Sequence, residues 1–235
     1  MSSGRIHLIP VPLSGASILQ LSEDGNHAAA QIQHFLVERA KSARAFLKSI
    51  HHPTRMNEIH ILEWSPTIIM ELWQEILQIL KEGKDVGILS EAGLPAVADP
   101  GGDIVQLAHL EGIQVIPHSG PSAIFLALMA SGLGGQQFQF HGYLPSKREL
   151  VRNELIKIGQ NAIKTDVTQI FMETPYRNKQ IFEVGLSVLS SKLLLCVAAG
   201  IGSSDERIST KTVQSWKESD YTLFFGIPAI FLLSK

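Results

Sequence analysis

The stretch SEAGLPAVADPGG, residues 90–102, contains three glycines, two prolines and two carboxylates among small apolar residues. It follows the apolar run DVGIL and precedes the helical pattern DIVQLAHLEG. Small residues between a strand and a helix let backbone N–H and C=O groups approach a ligand closely. The stretch therefore predicts a ligand-binding loop at the carboxyl edge of a parallel sheet. A tight turn without any ligand would have the same composition.

Short apolar runs alternate with helical patterns on both sides of this loop. RIHLIPV, HFLVE, EIHILEW and DVGILS predict strands, and PTIIMELWQEILQILKEG predicts an amphipathic helix. The alternation resumes after HSGPSA and ends with the apolar strand IPAIFLLSK, while RISTKTVQSW is typical of an antiparallel strand. Strand–helix alternation indicates mainly parallel sheets covered by helices. We therefore predict an α/β fold of two lobes, residues 1–117 and 118–235.

The bulk composition is that of a globular protein, with 235 residues, 45% hydrophobic and 18% charged. The net charge of −2 argues against nucleic-acid binding through the total field, although a local basic patch would still permit it. The single cysteine, Cys196, excludes an intramolecular disulfide and a Cys-rich metal cluster, and no metal site is predicted. Neither a signal-peptide pattern nor an apolar stretch of about 20 residues occurs. A cytoplasmic protein without a membrane partner is the simplest expectation.

Four predicted strand–helix junctions consist of small or turn-forming residues: PVPLSG, SEAGLPAVADPG, HSGPSA and METPYRN. None of them has the Gly-rich pattern and Lys of a P-loop or the G-x-G-x-x-G pattern. A dinucleotide or a nucleoside triphosphate is therefore disfavoured. Loops built from backbone groups and isolated carboxylates fit a neutral or zwitterionic adenosine compound.

In this order, the blocks SEAGLPAVADPG, HSGPSAIFLALMASGL, FHGYLPSKR and FMETPYRN resemble the tetrapyrrole methylase superfamily. Within it they are most similar to the branch of ribosomal RNA 2′-O-methyltransferases, which modify a cytidine ribose of the small-subunit RNA. The first block is the most specific, because its glycine, both prolines and Asp99 fall in order without gaps. The resemblance implies S-adenosylmethionine in a cleft between the lobes, ribosomal RNA or the small ribosomal subunit as partner, and a homodimer.

The resemblance also implies site residues. The implied cofactor contacts are Pro12, Ser90, Glu91, Ala92, Leu94, Ser122, Ala123, Met172, Ile201 and Pro228. A ribose hydroxyl is a poor nucleophile unless a base or a cation assists it, and the candidates for that role are Glu38, Arg44 and Glu173. Ion pairs of Glu38 with Arg44 and of Glu173 with Arg177 are the structural alternatives.

RNA binding would require cations that contact phosphates. The candidates are Arg39, Lys41, Lys147, Arg148 and Arg177, and Tyr143 could stack on a base. Solvated helix faces would explain the same charges.

The sequence departs from the branch at several positions. SGASILQ replaces the usual Asn-Leu-Gly-Asp continuation, Arg39 replaces an acid, Glu91 replaces Asp, and the usual C-terminal extension is missing. These departures leave three alternatives: a methyltransferase for a small molecule such as a tetrapyrrole precursor, an inactive protein that binds S-adenosylmethionine, and an α/β nucleotide-binding module without methyl chemistry.

Overall fold

The computed structural model describes residues 3–14 and 21–235. The chain divides into two compact units, Met1–Ser122 and Ala123–Lys235. The boundary expected from the sequence, after residue 117, falls slightly earlier along the chain. Residue His118 is held in the first unit, where its backbone N–H donates to the carbonyl of Leu8 at 3.0 Å.

The first unit contains one parallel sheet of five strands in the order β3-β2-β4-β1-β5. The predicted α/β class and parallel sheet are confirmed here. Its elements in chain order are β1 Ile6–Ile9, α1 Glu23–Gln31, β2 His34–Val37, α2 Ala40–Ser49, β3 His60–Glu63, α3 Ile69–Lys81, β4 Val86–Leu89, α4 Gly102–Leu110 and β5 Val115–Pro117.

Helices cover both faces of this sheet. Alternate side chains of a strand point to opposite faces, so in β2 Phe35 and Val37 pack with α1 and α2, while Leu36 packs with α3 and α4. Both sides of the central strands are therefore buried, which explains why β4 is apolar throughout. The chain leaves β2 towards one face and leaves the adjacent β4 towards the other, so their carboxyl ends form the topological switch point of the sheet.

The second unit contains a mixed sheet of five strands in the order β6-β7-β10-β8-β9. Only β6 and β7 pair in parallel, and the other three pairings are antiparallel. Its elements are β6 Phe138–Tyr143, β7 Thr168–Glu173, β8 Leu194–Ala199, β9 Arg207–Thr212, β10 Ala229–Ser234, α5 Ala123–Ser131, α6 Arg148–Thr165, α7 Asn178–Val188 and α8 Val213–Lys217.

The prediction of mainly parallel sheets was wrong for this second sheet. A parallel connection needs a crossover of a dozen or more residues, usually a helix. Only the short loop 200–206 joins β8 to β9, so these strands form an antiparallel pair, as predicted for RISTKTVQSW. The final strand, β10, then enters between β7 and β8 and runs antiparallel to both.

An aromatic core and a buried thiol characterise the second unit. Trp216 is fully buried, packs edge-on against Phe182, and donates its indole N–H to the carbonyl of Leu195 at 2.7 Å. Cys196 is also fully buried, and burial raises the pKa of its thiol, as expected for a structural cysteine. Among the described residues, no helix combines the length and hydrophobicity needed to cross a bilayer.

Candidate functional site

The switch point brings the predicted candidate Glu38 beside the first residue of the predicted loop SEAGLPAVADPG. Val37 and Leu89 are register partners in β2 and β4, so Glu38 and Ser90 emerge side by side at the carboxyl edge of the sheet. Both residues line a small crevice together with Trp64. Ligands of open α/β sheets bind at this position.

The backbone of the loop after β4 is held in an unusual shape. Gly93 exchanges two hydrogen bonds with Val11, each of 3.0 Å, and Ser90 Oγ donates to the Gly93 carbonyl at 2.7 Å. Gly93 has φ +77°, and the non-glycine residues Ala96 and Ala98 also lie in the left-handed region, with φ 62° and 59°. Such conformations cost free energy and concentrate at functional sites.

A third predicted loop, the segment after β5, meets the same glycine. A Cβ atom added to Gly93 would lie 3.0 Å from Leu13 Cδ2 and 3.2 Å from the carbonyl oxygen of Pro121. At Gly120, a Cβ atom would lie only 2.2 Å from Cβ of Pro10, so this close approach requires glycine. PVPLSG, SEAGLPAVADPG and HSGPSA therefore converge at one edge of the first unit. Of the segment SGASILQ, residues 15–20 lie outside the described part of the chain.

Three carboxylates share this edge. Burial, together with the smaller effects of the charges of Glu38 and Glu91, raises the pKa of Asp99 to about 6. Glu91 Oε1 accepts a hydrogen bond of 2.5 Å from Ser42 Oγ on α2. Sequence reasoning used Asp99 only as part of a motif and missed it as a titratable group. The available signal was its position between prolines and small residues, close in sequence to another acid.

The start of α2 displays the predicted cations of the first unit. Arg39, Lys41 and Arg44 are all exposed, and Arg39 Nη2 lies 3.9 Å from Glu38 Oε1. The backbone N–H of Ala40 donates to a carboxylate from β3 at 2.6 Å, which caps the helix.

In the second unit, three predicted cofactor residues share one edge of the sheet. Met172 is the register partner of Ile230 at the beginning of β10. The N–H of Gly200 donates to the carbonyl of Pro228 at 2.9 Å, which brings Ile201 to the same end. Ala123 begins α5, while Ser122 ends the first unit.

Glu173 and Arg177 form a buried ion pair at this edge. The side chain of Glu173 is 0% exposed, and its Oε1 lies 3.4 Å from Arg177 Nη2. The same Nη2 donates to the carbonyl of Pro145 at 2.7 Å. Burial raises the pKa of Glu173, and Arg177 partly opposes this. The ion pair predicted as the structural role of Glu173 is present, and the guanidinium of Arg177 faces the protein.

Basic and aromatic side chains are exposed near the same ion pair. Lys147 and Arg148 stand at the start of α6, and Tyr143 ends β6. Tyr176, which sequence reasoning did not select, is 83% exposed beside Arg177. A tyrosine next to basic residues in a turn was the signal that could have identified it.

No protein-family model matches the chain. It is similar to several curated proteins named "Ribosomal RNA small subunit methyltransferase I". The protein from Haemophilus influenzae is 27% identical over 84% of this chain and 61% of its own length. The protein from Halalkalibacterium halodurans is 38% identical over 51% of this chain and 40% of its own length. The protein from Escherichia coli O157:H7 is 28% identical over 88% of this chain and 68% of its own length. The chain thus spans less than two thirds of the length of the first two relatives.

Proposed function

Because the chain is homologous to the ribosomal RNA small-subunit methyltransferase I proteins, as its motifs predicted, we propose that it is a methyltransferase. Its proposed donor is S-adenosylmethionine, and its proposed acceptor is a ribose 2′-hydroxyl in small-subunit ribosomal RNA. The observation that best supports this proposal is the convergence of three small-residue loops on Gly93.

The chemistry of the converging loops fits the proposed cofactor. Three carboxylates at one sheet edge repel a triphosphate and favour a ligand that carries positive charge, such as a sulfonium. Gly93 in the loop 90–94 is bonded to Val11, and the small side chains of Ser90 and Ala92 let the neighbouring backbone groups approach adenosine and the amino-acid portion closely. The proposed contacts in the second unit are Ala123, Met172, Ile201 and Pro228.

In the proposed reaction, the bound cofactor supplies an electrophilic methyl group. The protein contributes position and exclusion of water, which convert a bimolecular reaction into an effectively intramolecular one. Glu38 stands at the switch point and is the better placed of the two acidic candidates for accepting the hydroxyl proton. Glu173 is fully buried against Arg177 and is better suited to holding the surrounding loops. Arg44 remains a predicted cation that would stabilise the negative charge developing on the ribose oxygen.

Each unit contributes exposed cations to the proposed RNA contacts, and the second unit also contributes exposed tyrosines. Cations neutralise phosphates, and aromatic rings stack on unpaired bases. Arg177 is excluded from the proposed phosphate contacts because its guanidinium faces the carbonyls of Leu144 and Pro145. The proposed contacts are Arg39, Lys41, Lys147, Arg148, Tyr143 and Tyr176.

A homodimer and a cytoplasmic location are also proposals. Helix α5 is apolar around its whole circumference, and it exposes Phe125 and Met129. Phe125 also contacts Phe138 of the edge strand β6. A second copy of the chain would cover this apolar face.

Labelled methyl transfer tests the proposed reaction. Purified protein is incubated with [³H-methyl]-S-adenosylmethionine and small ribosomal subunits that lack ribose methylation, and in parallel with a tetrapyrrole precursor. Label in the RNA, resistant to alkaline cleavage at one nucleotide, is the expected result. Label in the tetrapyrrole fraction alone would replace the RNA proposal with the small-molecule alternative.

An inactive cofactor-binding protein is the second candidate, because Arg39 stands where the branch has an acid and lies beside Glu38. It predicts binding of S-adenosylhomocysteine by calorimetry without label in any acceptor. Restoring an acid with Arg39→Asp would then be expected to produce labelled RNA.

A further inference from the structure

Two buried histidines in the first unit form the centre of a continuous hydrogen-bonded chain. Nδ1 of His7, on β1, lies 2.9 Å from Nε2 of His118, which follows β5. His7 Nε2 lies 3.1 Å from Asp85 Oδ2, and His118 Nδ1 lies 2.6 Å from Asp24 Oδ2. The two histidines are only 7% and 8% exposed. The hydrogen-bonded series therefore runs Asp85–His7–His118–Asp24 and contains three hydrogen bonds.

Two neutral histidines carry too few N–H groups to form all three hydrogen bonds. A neutral imidazole carries one N–H and one lone pair. If each histidine directs its N–H to its carboxylate, two lone pairs face each other across the 2.9 Å between the rings. Lone pairs at that distance repel, so the third hydrogen bond requires a third proton. We infer that His7 and His118 bind one shared proton, which positions the start of α1 against the segment that leaves β5.

The charges around the pair support one extra proton. Arg5 Nη2 lies 2.9 Å from Asp85 Oδ2. Burial raises the pKa of Asp85, but hydrogen bonds from Arg5 and His7 outweigh it and hold this pKa below its ordinary value. Asp85 therefore stays an acceptor, and a positive charge on the histidine pair lies between two carboxylates. Among the described residues, no group of three or more His, Cys, Asp or Glu side chains could hold a metal ion. The two ring nitrogens are 2.9 Å apart, too close to share a metal that binds each nitrogen at about 2 Å, so a proton is the bridging species. The other titratable groups that line the adjoining pocket, of about 520 Å³, are His27, His34 and Lys84.

The shared proton matters because α1 contributes little apolar surface to the core. Only Gly25 and Ala29 are buried in this helix. Its attachment relies on polar contacts, namely Asp24 with His118 and the N-cap Ser22, whose Oγ donates to the carbonyl of Ser119 at 2.9 Å. The Asp24 side chain is 80% exposed, yet its carboxylate meets a buried ring.

Burial gives this attachment a pH dependence on the acidic side. In the unfolded chain an imidazole titrates near pH 6.5. Burial lowers the pKa of His7 in the folded protein, so the pair resists a second proton. Below pH 6.5 the unfolded chain binds two protons and the folded pair one, so stability falls as the pH falls, by about tenfold in the unfolding constant per pH unit at most.

Nitrogen NMR of the histidine side chains tests the shared proton directly in the folded protein. A two-bond ¹⁵N–¹⁵N coupling between His7 Nδ1 and His118 Nε2 is expected at neutral pH, and it should disappear at both high and low pH. Two neutral imidazoles without coupling at neutral pH would overturn the inference. The measurement requires neither cofactor nor RNA, so it is independent of the proposed function.

A matched pair of variants in one helical turn tests the positioning role. Asp24→Asn removes the carboxylate that contacts His118, whereas Glu23→Gln removes an equal charge from the neighbouring position. Hydrogen exchange of α1 amides should accelerate by about tenfold in Asp24→Asn, since a hydrogen bond to a charged group is lost. It should change by less than about twofold in Glu23→Gln. Equal acceleration in both variants would reduce the effect to a general loss of helix-terminal charge and would refute the positioning role.

Discussion

Gly93→Ala is the most direct test of the loop convergence. The added Cβ would lie 3.2 Å from the Pro121 carbonyl oxygen and 3.0 Å from Leu13 Cδ2. The leucine methyl can rotate away, but the carbonyl moves only with its backbone. Alanine at φ +77° also costs about 1 kcal/mol. If the loop shifts, the two hydrogen bonds with Val11 weaken, at about 1 kcal/mol each. We expect a loss of about 2–3 kcal/mol.

Urea denaturation measures this loss, with the fluorescence of Trp64 and Trp73 as a probe of the first unit. Calorimetry with S-adenosylhomocysteine should show at least about tenfold weaker binding, because the backbone groups of the loop are displaced.

Gly102→Ala is the matched control in the same stretch. No atom lies within 4 Å of the Cβ position at Gly102, and this residue begins α4. Alanine there should leave binding unchanged and stabilise the protein by up to about 1 kcal/mol. If Gly93→Ala proved as stable as Gly102→Ala and bound the ligand equally well, the loop at Gly93 would be neither sterically constrained nor part of the binding site.

Three further predictions concern charged groups. Burial raises the pKa of Asp99 to about 6, so the folded state favours its protonated form, and stability should fall as the pH rises from about 4 to about 6. Asp99→Asn should remove this fall and add on the order of 1 kcal/mol at pH 7, allowing for solvent screening, as measured by urea denaturation at several pH values. Arg177→Met leaves the carboxylate of Glu173 buried without its cation and should cost about 3 kcal/mol, whereas Arg177→Met with Glu173→Met should recover part of that loss in the same assay. Replacing Lys147 and Arg148 by Ala should weaken RNA binding and reduce the slope of log affinity against log salt by about 1.4, and an unchanged slope would exclude both from phosphate contact.

The first unit was largely predictable because its information is local. Apolar runs such as DVGIL mark strands buried on both faces, and the pattern of Ile69, Leu72, Trp73 and Ile76 marks an amphipathic helix. Three of these four residues are buried in α3. The small-residue loops could be located for the same reason, since a strand before and a helix after each loop determine its place at the sheet edge.

The second sheet was less predictable because strand direction depends on distant partners. The pattern AIFLLS indicates a buried strand whether its neighbours are parallel or antiparallel. Its position between β7 and β8 results from the path of the preceding chain: β9 is antiparallel to β8, and the crossover through residues 213–228 returns β10 parallel to β9 and so antiparallel to β8.

Sequence by itself determined which segments of this protein are strands, helices and glycine-rich loops, because backbone preference and side-chain periodicity act over a few residues. Only the tertiary structure decided the chemical state of individual side chains. Asp99 acquires a raised pKa from burial and from acids on two segments, and Glu173 becomes a buried partner of Arg177. His7 meets His118, 111 positions away in the sequence. Electrostatic energies depend on distance in space and on exclusion of water, and no periodicity in the chain records either quantity.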